Sequence, residues 1–135
     1  MSEMIKLLGD KDTAANIAVK NLETAKKFYE DMLGMKEIWT QDQEVIVFKS
    51  GNSTVNVYRS QYAQYAGTNQ ATAMTWNVGD DIEEIVQQLK AKGVVFEHYD
   101  DMQGVTRKGD VHVAGNMKAA WFKDLDGNIL GIASG

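Results

Sequence analysis

The chain has no cysteine, no proline and only two histidines. Without cysteine there are no disulfides, no thiolate metal ligands and no thiol nucleophile. Without proline, every turn must be built from Gly, Asn, Asp or Ser. With His98 and His112 as the only imidazoles and no Gly-x-Ser-x-Gly elbow, hydrolysis by a base-activated serine is not expected. No apolar run approaches the ~18 residues of a membrane span. Met1 to Lys11 also lacks the apolar stretch of a secretory signal, so a cytoplasmic protein with no membrane partner is expected. The formal net charge is −5, with basic residues scattered among acidic ones, which argues against a nucleic-acid partner and weakly favours neutral or cationic ligands.

What is present is a pattern written twice. Ile17-Ala18-Val19 runs into a helical pattern from Leu22 to Leu33, stopped by Gly34, and later come Phe48-Lys49 and Gly51-Asn52. Thr75-Trp76-Asn77-Val78 runs into a second helix from Ile82 to Lys92, stopped by Gly93, followed by Phe122-Lys123 and Gly127-Asn128. At 135 residues the chain fits one domain of two modules, about 13–60 and 71–134. Asn21 is the expected N-cap of the first helix, and Asp80 with Glu83 reads as a capping box for the second. Strands are predicted at Met35–Thr40, Glu44–Lys49 and Thr54–Arg59 in the first module. In the second they are predicted at 71–78, Val94–His98, Ala119–Lys123 and Asn128–Ala133. Turns fall at Gln41–Gln43 and Ser50–Ser53. The order is βαβββ twice, an α+β architecture.

Between Asp100 and Lys118 periodicity fades while Gly104, Gly109 and Gly115 accumulate, the composition of a lid or a mobile loop, with a short strand possible at Val111–Val113. Gly109 to Gly115 lacks the Gly-Lys-Ser/Thr ending of a phosphate loop. Asp124-x-Asp126-Gly127 opens like a calcium loop but lacks its remaining ligands, so a hairpin turn is expected. His98, Asp100 and Glu97 form a charged strand end, with a solvated role favoured over a metal site.

The segments VKNLETAKKFYEDMLGM, DDIEEIVQQLKAKGVVFE and AWFKDLDGNILGI resemble the glyoxalase, bleomycin-resistance and extradiol-dioxygenase superfamily, the vicinal oxygen chelate proteins, over about Ala14 to Ala133. The resemblance implies paired βαβββ modules that curve a mixed sheet around a shared cavity, commonly in a homodimer. Leu125 stands where the family's hairpin usually carries proline. The family's four metal-ligand positions fall on Ala14, on Val55 or Val57, on Ala73 and on Gly131, none of which offers a lone pair. No metal and no other cofactor is therefore expected.

The remaining candidates suit binding. Thr75 and Asn77 are expected to face inward while Trp76 packs on the helix, and Trp121 and Phe122 must point to opposite faces. Asn16 offers an inward amide, Phe48, Tyr58 and Trp121 supply aromatic surface, and Arg59 could hold an anionic or carbonyl group. His112, in the lid, could titrate near neutral pH. These six residues form the expected ligand site. The expected function is metal-independent binding of a small organic molecule, drug-like or aromatic, as in the family's antibiotic-sequestering members. The alternatives are a glyoxalase-like lyase or isomerase with a non-standard site built on Arg59 and His112, and a purely structural or interaction module.

Overall fold

In the computed structural model, which describes residues 7–41 and 43–134, the first module is β1 (Ala15–Val19), α1 (Leu22–Lys27), β2 (Lys36–Gln41), β3 (Val45–Ser50) and β4 (Ser53–Arg59). The beginning of the Met1–Lys11 segment and the centre of the Gln41–Gln43 turn lie outside these residues. The sheet order is β1-β4-β3-β2, with β1 parallel to β4 and the other pairs antiparallel. The second module is β5 (Thr72–Asn77), α2 (Ile82–Ala91), β6 (Phe96–Glu97), β7 (Thr106–Lys108), β8 (Val111–Ala114), β9 (Met117–Lys123) and β10 (Ile129–Ala133). It repeats the first as β5-β10-β9, with β5 parallel to β10. The outer edge of β9 is shared: β6 pairs with Phe122 and Trp121, and β8 pairs with the residues from Met117 to Ala119. The glycine-rich stretch is thus an ordered β7–β8 hairpin inserted into a βαβββ unit.

Two local expectations change. The first helix does not run unbroken to Leu33, because after Lys27 it widens into a π turn over Phe28–Met32, with Leu33 N–H donating to Phe28 O at 3.1 Å. Such single-turn bulges reset the helical phase. Here consecutive residues Phe28 and Tyr29 are both buried, edge to face at 5.3 Å. The capping box does not form either. A 3₁₀ turn over Gly79–Asp81 leads into α2, the side chain of Asp81 makes no cap bond, and Glu83 is drawn instead to Lys118 at 2.6 Å. The Asn21 cap does form, its Oδ1 accepting from Thr24 N–H at 3.0 Å.

Strand alternation divides each sheet into a core face and an open face. Ile17, Val19, Ile46, Phe48, Val55 and Val57 point to the core, as do Ala120, Phe122, Leu130 and Ile132 in the second sheet. One contiguous cluster joins both sets with Phe28, Tyr29, Ile82 and Val86. Each large side chain so buried contributes about 1.5–3 kcal/mol.

The modules are fastened at one turn. Asp124, 6% exposed, accepts hydrogen bonds from Tyr29 Oη (2.7 Å), Asp126 N (2.9 Å), Asn128 N (2.9 Å) and Asn128 Nδ2 (2.8 Å). Asn128 Nδ2 also donates to Ala18 O, and Lys20 N donates to Asp126 Oδ1, tying the turn to β1 and its end. Burial, with the Asp124 carboxylate beside it, pushes the Tyr29 phenol far above its usual pKa. The connection between the modules closes on the same turn at Gly67 (φ 74°), where a Cβ would sit 1.7 Å from Asp126 O, so only glycine fits.

Candidate functional site

The open face of the second sheet carries a row of four residues in register: Thr75 on β5, Gly131 on β10, Trp121 on β9 and Glu97 on β6. The indole lies over the glycine. A Cβ at Gly131 would meet Trp121 Cδ1 and Nε1 at 3.2 Å and Thr75 Oγ1 at 3.3 Å. Trp121 Nε1 donates to Thr72 Oγ1 at 3.1 Å, and a register shift in the β5–β10 pairing separates that threonine from the Thr75 row. Tyr99 and His112 meet the indole edge-on, with ring centroids at 5.5 and 5.0 Å. Trp121 is thereby fixed on several sides while remaining partly exposed.

His112 is 2% exposed, not an exposed loop residue. Its Nε2 accepts from the Tyr99 backbone N–H at 2.9 Å, which places the ring proton on Nδ1, and Nδ1 is buried without a hydrogen-bond partner among the described residues. Burial holds its pKa below the ordinary histidine value, opposed in part by the Ala119 carbonyl. Burial and the hydrogen bond accepted at Nε2 both favour the neutral ring.

The lid hairpin is pinned from outside this cluster. Asp110 receives Lys90 Nζ at 2.8 Å and His98 Nε2 at 2.7 Å, and hydrogen bonds from those two groups, His98 first, hold its carboxyl below the usual range. Arg107 holds Asp100 through two nitrogens (2.7 and 3.1 Å), depressing that carboxyl in turn.

The open face of the first sheet has the corresponding row, Asn16 on β1, Asn56 on β4 and Val47 on β3. Asn56 Nδ2 donates to Asn16 Oδ1 at 3.1 Å. Tyr58 shares this face at 38% exposure, beside Val45. Trp39, opposite Val47, is 52% exposed.

Of the six expected lining residues, Asn16 and Tyr58 therefore lie on the open face of the first sheet, and Trp121 and His112 come together on that of the second. Phe48 does not line a site. It pairs with Val55 on the core face and is fully buried. Arg59 is also misplaced, because it pairs with Val19, on the helix side of the strand, and is engaged by Glu44 at 2.8 Å. Sequence reasoning missed Asn56, Thr72 and Tyr99. The first was hidden by a one-residue error in register that put Val55 and Val57 on the open face, where alternation from the buried Ile17 would have excluded them.

The donor set does not fit a metal. Ala14, Ala73 and Gly131 offer no ligand, and the valines of β4 point into the core with Asn56 taking the open position. Among the described residues no three His, Cys, Asp or Glu side chains gather in a group that could hold an ion. Among them, too, no helix is long and apolar enough to cross a membrane.

The family model for the Glyoxalase/Bleomycin resistance protein/Dioxygenase superfamily matches residues 12–132, and the chain belongs to that superfamily. No curated protein matches the chain. Among solved structures it is similar to a lactoylglutathione lyase from Agrobacterium tumefaciens (15% identity, TM-score 0.68, 92% of each chain covered). It is also similar to the fosfomycin resistance protein FosX from Listeria monocytogenes (14% identity, TM-score 0.69, 93% of each chain covered). A third similar structure is TnmS3, an antibiotic-binding protein from a Streptomyces species (18% identity, TM-score 0.64, 88% of this chain and 90% of that one covered). At these identities the likeness speaks for the fold.

Proposed function

For this superfamily member we propose metal-independent binding of a small organic molecule on the open sheet faces, within a cytoplasmic homodimer. The observation that carries the reading is the Trp121 indole, held over Gly131 by Thr72, Tyr99 and His112 yet still partly exposed. A rigid aromatic surface of this kind stacks an aromatic or cationic ligand with little ordering cost. Thr75 in the same row supplies a hydroxyl for orientation, the asparagine row of the first sheet supplies amides, and the carboxylate in register with the indole, Glu97, is paired with Lys123 at 3.7 Å. The one imidazole on this face, His112, is enclosed and already engaged through Nε2. That TnmS3 binds an antibiotic supports the view that this fold can serve as a receptor.

The same faces support the dimer in this reading. The first sheet leaves Trp39 and Tyr58 exposed, and the second leaves Met117 half exposed four residues before Trp121 on β9. Apolar surface on both open faces is suited to covering by a second copy, the first sheet of one subunit opposing the second sheet of the other. The ligand would then be enclosed between Trp121 and the asparagine row.

The test is a melting scan of purified protein against aromatic and cationic compounds, with and without chelator or added divalent ions. Saturable stabilisation unaffected by chelator is expected, about 2.7 kcal/mol at a hundredfold excess over Kd. Stabilisation that needs a stoichiometric divalent ion and vanishes with chelator would overturn the reading and restore the lyase or isomerase.

A further inference from the structure

A cavity of about 710 Å³ lies at the seam between the modules, on the far side of β5 from Gly131 and Trp121 and sharing only Thr75 with their row. One wall is the end of the π turn and the β3–β4 turn, and the other is β5 with the inner side of α2. Among the described residues, nine hydrophobic side chains pack against the core while staying only partly buried. Six of them, Met32, Leu33, Trp76, Val78, Ile85 and Leu89, line this one cavity. Their incomplete burial is therefore a property of the cavity and not a scatter of surface residues. A volume of this size lies within the ~300–1,000 Å³ of small-molecule sites.

The walls are held open by polar contacts that cross the seam. Trp76 Nε1 donates to Ser50 Oγ at 2.8 Å, and Lys92 Nζ donates to Asp31 O at 3.0 Å. Lys92 is the one charged side chain among the lining residues, and it has no carboxylate within 4.0 Å among the described residues. Its position at the C-cap of α2 weakens the positive field, since helix carbonyls end there. The sign still selects: a carboxylate gains an ammonium partner, whereas a cation meets only repulsion.

We infer that this seam cavity is a second binding site, taking a small amphipathic carboxylic acid with its apolar body against Leu33, Ile85 and Leu89 and its carboxylate at Lys92. Because the walls come from both modules, occupancy also braces the seam that Asp124 fastens at its other contacts.

The probe is decanoate, with decanol and decylammonium as neutral and cationic counterparts of the same chain. Trp39→Phe with Trp121→Phe leaves Trp76 as the sole indole and removes the aromatic anchor of the open face, so a failure there does not register here. Saturable change in Trp76 emission with decanoate is expected, about three- to tenfold weaker with decanol and weaker still with decylammonium. Lys92→Met, a surface change, should erase the preference for decanoate over decanol, and Ile85→Phe should fill the cavity and weaken all three. Equal binding of decylammonium overturns the proposal. So does a decanoate response unchanged in Lys92→Met, or no saturable response below the aggregation limit of the probe.

Discussion

The hairpins that close the two modules begin with the same dipeptide, Phe-Lys, and contain the same Gly-Asn, yet they do different work. In the first, Ser53 Oγ donates to Ser50 O at 2.7 Å within a short turn whose Gly51 and Asn52 are exposed. In the second, a carboxylate enters the protein and collects four donors from two modules. The open faces diverge in parallel: Asn16, Asn56 and Val47 across one sheet, Thr75, Gly131 and Trp121 across the other. A duplicated frame is held by alternating apolar residues, so turn and open-face residues are free to differentiate. One turn has become the fastening of the two modules, and one row has acquired an indole.

The sharpest way to break this comparison is to remove the carboxylate. Asp124→Ala leaves the Tyr29 hydroxyl and three nitrogen donors without their shared acceptor, and a loss of about 3–5 kcal/mol is expected from urea unfolding. Ser53→Ala in the first hairpin should cost under about 1 kcal/mol, since its partner is a turn carbonyl near solvent. Equal losses would mean that the two turns are not differentiated as described.

Second in size is Gly131→Val. The first added carbon already meets the indole at 3.2 Å, so the valine must push Trp121 off the sheet, at about 1–3 kcal/mol and with loss of aromatic-ligand binding. Asn56→Val, at the matching place in the first row, meets no indole and should cost less than Gly131→Val. Comparable losses would show that the row positions are interchangeable.

Much of this was legible in the chain. The alternation at 15–19, the Asn21 cap and the repeated Gly-Asn turns carry both modules, because period and punctuation are local properties. The opposite facing of Trp121 and Phe122 follows from the same period. The π turn was not legible: residues 28–33 keep a helical pattern, and the widening depends on burying Phe28 and Tyr29 against another module. The Asp80–Glu83 capping box was a local signal overridden by Lys118, 35 residues away. The order of the 100–118 segment was hidden because it rests on Asp110 contacts to Lys90 of α2 and to His98 just beyond β6, and composition registers only its glycines. Arg59 was assigned by proximity to the open face, whereas its register with Val19 decides otherwise.

The His112 cluster sharpens the comparison through pH, since the first row has no titratable counterpart among Asn16, Asn56 and Val47. The folded pKa is depressed, so the unfolded chain takes the proton first as pH falls below the ordinary value of 6.5. Stability contributed by the neutral ring is therefore complete above that value and declines on acidification toward the folded pKa. The slope cannot exceed about 1.4 kcal/mol per pH unit for one proton. His112→Gln should flatten the unfolding profile between pH 7 and 5. A wild-type profile already flat there would mean that the ring protonates without cost and is not enclosed.

The smallest effect tests whether the first row is structural or receptive. The Asn56 to Asn16 hydrogen bond lies on a largely exposed face, so a double-mutant cycle with Asn16→Ala and Asn56→Ala should give a coupling of about 0.5 kcal/mol in unfolding. If the row orients a ligand opposite Trp121, the same cycle measured by ligand affinity should give a larger coupling than the one in stability, because each amide would then be desolvated and pairing with the ligand as well as with its neighbour. Equal couplings would leave the asparagines as a stitch between β1 and β4, and the binding surface would belong to the indole row alone.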